Sequence, residues 1–174
     1  MGLPFFEERE IKLGFCIMNE TTKNGETFTV SHGGVSLPLE MYSMEYILKE
    51  LENNKLYFGE IRTIEHATKA KIKNCRKGKN EYFAYIKFFS INGKSYGIVA
   101  GKTNYSNPDL SFDDWKDEND HRYARIFLRD TRGAKWSETI IIVNHKPSAS
   151  EEEDKQAALF IECYLQRKFN LFNS

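Results

Sequence analysis

The sequence predicts an α/β protein of the α+β kind: a small antiparallel or mixed sheet around a central Asn-Gly hairpin, flanked by helices. Three observations lead there. Residues 81–91 (EYFAYIKFFSI) are dense in aromatic and β-branched side chains, the composition of a buried strand. Asn92-Gly93 follows at once, and both residues tolerate the positive φ that a two-residue hairpin needs. Elsewhere the period changes: Met41, Met44, Ile47, Leu48 and Leu51 recur at helical spacing.

In chain order, residues 12–18 form a short apolar run and residues 26–31 alternate like a strand, with a turn at Asn24-Gly25 between them. His32-Gly33-Gly34 breaks the pattern. An amphipathic helix is expected over 39–53. Residues 56–73 alternate more like strand than helix, with Ile61, Ile64 and a lysine-rich end. After the strand at 81–91, residues 94–103 return from the hairpin. Residues 121–130 (HRYARIFLRD) place Tyr123, Ile126 and Phe127 on one side of a helix and Arg122, Arg125 and Arg129 on another. Residues 138–144 (ETIIIVN) read as a buried strand. The acids at 151–154 suit the positive end of a helix dipole, and helical spacing runs on to 168 through Ala158, Ile161, Cys163 and Leu165. From residue 81 the order is strand, strand, helix, strand, helix. The seam falls at the basic run near 74–80, dividing a mixed region (1–80) from a second module (81–174).

A chain of 174 residues fits one domain, or a small domain with an appendage, and can bury a core without disulfides. Cys16, Cys75 and Cys163 form no C-x-x-C pair, the pattern of reduced thiols in a cytosolic protein. No apolar run approaches a membrane span, the first residues are too acidic for a signal peptide, and Gly2 lacks the Ser or Thr at position six that myristoylation needs. A soluble cytoplasmic protein with no membrane partner is expected. The net charge is zero yet segregated: Lys69, Lys71, Lys73, Arg76, Lys77 and Lys79 have no acid among them, whereas residues 109–120 hold six acids against Lys116. Such a stripe fits a phosphate backbone; it equally fits a strand edge kept soluble by lysines.

Gly101-Lys102-Thr103 has the end of a nucleotide-binding P-loop but not its spacing. Only Ile98, Val99 and Ala100 separate Gly97 from Gly101, where four residues are required, and a turn-forming run follows in place of a helix.

The second half resembles the GIY-YIG nucleases. The residues that carry the resemblance are Tyr85, then Asn92-Gly93-Lys94-Ser95-Tyr96, then Gly101-Lys102-Thr103-Asn104, with an arginine helix, a strand and a glutamate helix after them. The match covers about residues 81–174. It departs from the family at both tripeptides: the first is Phe83-Ala84-Tyr85, and the second is interrupted after Tyr96 by Gly97-Ile98-Val99-Ala100. The resemblance implies a metal-dependent endonuclease acting on DNA, of a restriction or mobile-element type. It implies Tyr96 or Tyr85 as general base or water-positioner, Arg122 or Arg125 as phosphate clamp, and Glu162 as ligand to Mg²⁺ or another divalent cation, with Asn170 further on. The basic residues, with Lys102, would hold nucleic acid; RNA remains open as a substrate. The alternative is a non-enzymatic binding protein on a degenerate nuclease scaffold, engaging nucleic acid or another protein.

Strand alternation tests this set. A two-residue hairpin puts Ile91 opposite Lys94 and Phe89 opposite Tyr96, so Tyr85, Lys87 and Phe89 share a face with Tyr96, Ile98 and Ala100. The two tyrosines then lie ~13 Å apart along the strands, and a wider loop or a bulge near Gly97 is needed to bring both onto one phosphate. Each alone also reads as an ordinary sheet aromatic. Glu162, amid Phe160, Ile161, Cys163 and Leu165, is at a wet boundary or buried with a partner, a metal or one of the arginines. His32, His66, His121 and His145 have no zinc spacing, though His121 adjoins Arg122.

Overall fold

The computed structural model describes residues 15–21, 25–32, 35–76, 78, 80–108 and 122–173. An antiparallel meander comes first: β1 (Phe15–Thr21), β2 (Glu26–His32) and β3 (Val35–Met41). Then follow α1 (Met44–Asn53), a 3-10 turn (Lys55–Tyr57), β4 (Ile61–Ile64) and α2 (Lys69–Lys73). The rest is β5 (Tyr82–Ile91), β6 (Lys94–Asn104), α3 (Arg122–Asp130), β7 (Lys135–Val143), α4 (Glu151–Lys168) and β8 (Phe172–Asn173). The expected α+β class and the order from residue 81 are both present. The second sheet runs β4-β7-β5-β6-β8, antiparallel except for the short β6–β8 pair, so it draws strands from both sides of residue 80.

The hairpin forms as its residues require. Asn92 and Gly93 take φ of 51° and 77°, and Ile91 pairs with Lys94 and Phe89 with Tyr96. Beyond Phe88↔Gly97 the register slips, and Lys87 meets Val99. This bulge turns Ala100 to the opposite face from Tyr96 and brings Val99 to the Tyr96 side, correcting the expected alternation. Gly97 is needed there: a Cβ would lie 2.6 Å from Ile47 Cδ1 and 2.9 Å from Leu171 Cδ2.

The large sheet has two covered faces. On the front, Phe89, Ile91, Tyr96 and Val99 pack under the small sheet (Phe28, Leu39, Met41) and α3 (Ala124, Phe127, Leu128). Further along the same face, Phe83, Tyr85, Ile140 and Ile142 pack with Ile72 of α2 and Tyr105. On the back, Ala84, Ile86, Phe88, Ala100, Ile141 and Val143 meet α1 (Ile47, Leu51) and α4 (Ile161, Leu165).

Two expected elements differ. The helix placed at 39–53 begins only at Met44, because Ser43 Oγ caps it by accepting from Tyr46 N–H (3.2 Å), while Leu39 and Met41 alternate into the core from β3. The strand placed at 56–73 is confined to β4. Its lysine-rich end is α2, capped by Thr68 Oγ1 from Lys71 N–H (3.2 Å) and anchored by buried Ile72. The expected features at Asn24, Gly33, Gly34, His121 and the acidic run 109–120 lie outside the described residues.

Candidate functional site

β5 and β6 direct Tyr85 and Tyr96 to the front face, as expected, but into separate core clusters. Tyr85 is 2% exposed, its ring 6.4 Å from that of Phe83. Tyr96 is 1% exposed, between Phe28 (5.7 Å) and Phe89 (5.5 Å). The bulge does not shorten the interval: Tyr96 stands opposite Phe89, still four residues from Tyr85 along β5, ~13 Å. Tyr96 hydrogen-bonds the Glu26 carboxylate, and burial together with that negative neighbour pushes its pKa upward. A tyrosine that activates water needs the opposite shift.

α3 lies over the same face. Arg125 is almost fully buried there, and Arg122 opens the helix, its side chain outside the described residues. Glu162 is on α4, across the sheet. Gln166 Nε2 donates both to Glu162 Oε1 (3.3 Å) and to Ala100 O (3.2 Å), and the charge facing Glu162 is Lys102 of β6. Burial raises the Glu162 pKa, while Lys102 and Gln166 pull it down. The expected partnership with an α3 arginine is therefore replaced by Gln166 and Lys102. The thickness of the sheet separates Glu162 from Tyr85, Tyr96 and Arg125, because α4 packs on the back face and α3 on the front.

A divalent cation fits this arrangement poorly. On Glu162 it would meet the Lys102 ammonium and lie across the sheet from the tyrosines and Arg125, unable to act on a phosphate they held. Among the described residues no group of three His, Cys, Asp or Glu side chains is placed to hold a metal. Asn170 is a structural residue: with φ of 58° it turns the chain out of α4, and its Nδ2 donates to Glu40 O (2.8 Å).

Lys69, Lys71 and Lys73 all stand exposed on α2, and Lys71 Nζ donates to Glu65 O (2.9 Å). Arg76 is engaged with Asn80 O (3.2 Å) and the Glu81 carboxylate (2.8 Å). Lys77 and Lys79 lie outside the described residues. Lys102, on the back face beside Glu162, is not part of this patch.

Three features escaped the sequence reading. Lys87 is 1% exposed on the front face, its ammonium 5.6 Å from the Trp136 ring centroid; its only sequence signal is a lone lysine inside an apolar strand. Asp154, one of four acids in the first turn of α4, is buried. It accepts from the backbone N–H of Glu81 (2.6 Å) and Tyr82 (3.2 Å) and binds His145 Nε2, while His145 Nδ1 donates to Lys146 O (2.6 Å). This pair fixes the start of β5 to the start of α4. Apolar side chains also face solvent, with Leu56 and Tyr57 each 79% and Phe160 75% exposed.

No helix among the described residues is long and apolar enough to cross a membrane. Comparison of the chain with protein-family models, with curated proteins and with solved structures gave no match.

Proposed function

We propose that the chain is a non-enzymatic nucleic-acid-binding protein that engages a phosphate backbone through the basic segment 69–79. The observation that carries this reading is the exposure of Lys69, Lys71 and Lys73 together on α2, none of them in an ion pair with a described carboxylate. Three such cations on one short anchored helix form a fixed point of positive potential, and each phosphate contact releases counterions from the polymer. The separation of Glu162 from the tyrosines and Arg125 supports binding without hydrolysis. Fluorescence anisotropy with a short labelled DNA duplex tests it: the chain binds, and Lys69→Glu/Lys73→Glu binds at least tenfold more weakly while melting as the wild type does. Equal affinity of the two proteins would refute the reading.

A second reading, a Mg²⁺-dependent DNA endonuclease, is favoured by one observation: Tyr85, Tyr96 and Arg125 belong to the same covered face. Plasmid cutting in Mg²⁺ by the wild type, lost in Glu162→Gln, would establish it in place of the first.

A further inference from the structure

α4 is buried along one stripe, Asp154, Ala158, Ile161 and Leu165. Its opposite side carries Glu152, Gln156, Leu159, Phe160, Cys163 and Arg167, all exposed to solvent. Leu159 and Phe160 stand at the midpoint of this 18-residue helix, with exposures of 37% and 75%. Charge is sorted about that midpoint: acids fill the first turn, and Arg167 and Lys168 the last. A groove of about 480 Å³ runs beside Phe160, Cys163, Tyr164 and Arg167. Phe58 packs on Tyr164 with ring centroids 5.6 Å apart, and Leu56 and Tyr57, next to Phe58 in sequence, are exposed.

We infer that this face pairs with the same face of a second copy of the chain, the two α4 helices antiparallel about a two-fold axis between Leu159 and Phe160. A two-fold contact must be self-complementary, and the outer stripe of α4 satisfies that condition position by position. Residues equidistant from the midpoint oppose each other: Glu152 meets Arg167 of the second copy, Gln156 meets its Cys163, and Leu159 meets its Phe160. Each ion pair and each apolar contact therefore occurs twice. Gln156 Nε2 already donates to Glu152 Oε1 (3.0 Å), which holds that carboxylate on the outer stripe. Helical side chains lean toward their own N-terminus. In an antiparallel pair, each Phe160 consequently leans toward the Cys163–Tyr164 groove of the other copy. The opposed helix dipoles add to the same orientation. Other apolar partners lack this match, because the acid-to-base gradient along α4 is the complement of itself reversed.

Sedimentation equilibrium of the full chain tests the pairing. The wild type is expected to be a concentration-dependent dimer. Arg167→Glu sets two acids against each other twice and is expected to raise the dimer dissociation constant about tenfold or more, of the order that turning two surface ion pairs into repulsions gives; Glu152→Arg/Arg167→Glu is expected to restore it. Gln156→Cys adds a sharper geometric reading, since under mild oxidation it should form a disulfide with Cys163 of the second copy. A monomer at every concentration would overturn the inference. So would a dimer indifferent to Arg167→Glu and uncrosslinked by Gln156→Cys.

Discussion

The hydroxyl of Tyr96 in β6 is hydrogen-bonded to the carboxylate of Glu26 in β2, joining the large sheet to the small one through a buried polar contact. Glu26 is 6% exposed, and its other partner is the Lys94 ammonium at 3.3 Å. The tyrosine that the hairpin motif marks as catalytic is thereby a structural donor inside an aromatic cluster with Phe28, Phe89 and Phe127.

Tyr96→Phe keeps the ring packing and removes the donor from a buried carboxylate. Leaving such an acceptor short of a partner costs about 1–3 kcal/mol. Urea unfolding should show that loss of stability, with duplex affinity unchanged. Wild-type stability in the variant would mean that water serves Glu26 equally well.

Asp154→Asn should cost more. The carboxylate satisfies two backbone N–H groups and His145 at a point 3% exposed, and each buried donor left short of a partner costs about 1–3 kcal/mol. Ser150 Oγ still caps α4 by accepting from Glu153 N–H (3.2 Å), so the helix itself remains. The expected result is a lower melting temperature with helical circular dichroism retained below it. Unaltered melting would show the His145–Asp154 contact to be energetically idle.

Glu162→Gln predicts the opposite sign. The folded-state pKa of Glu162 is raised above 4.5, chiefly by burial. A carboxylate shifted that way contributes stability that is present below its unfolded pKa and is lost as pH rises through the folded value. At neutral pH the ionised side chain is therefore a burden that glutamine lacks. The variant should melt no lower than the wild type at pH ~7, and any advantage should vanish once the pH falls below the unfolded value near 4.5. Early melting at neutral pH would mean that the contact with Lys102 outweighs burial.

The hairpin was legible because Asn92-Gly93 specifies its own backbone and thereby fixes which residues face each other near the turn. Its bulge was not: Gly97 is explained only by Ile47 and Leu171 closing on it from elements far away in sequence. The lysines of α2 alternate as in a strand, and only the cap at Thr68, a local signal that was present to be read, marks a helix there. Helical period located Glu162 on α4 but not the face of the sheet on which α4 would lie. That choice depends on how α3 and α4 divide the two apolar faces of β5, whose odd and even residues are alike hydrophobic. The burial of Asp154 follows likewise from where β5 begins in space, so four acids in one turn look equivalent until the fold separates them.

The salt dependence of duplex binding counts the phosphate contacts that the α2 lysines make. Each phosphate contact by a lysine contributes about −0.9 to the slope of log affinity against log salt concentration. The wild type should show a steep negative slope, and Lys69→Glu/Lys73→Glu a slope flatter by about 2 with its fold intact. A wild type that does not bind duplex at low salt, or a double variant with the wild-type slope, would rule out phosphate binding by α2.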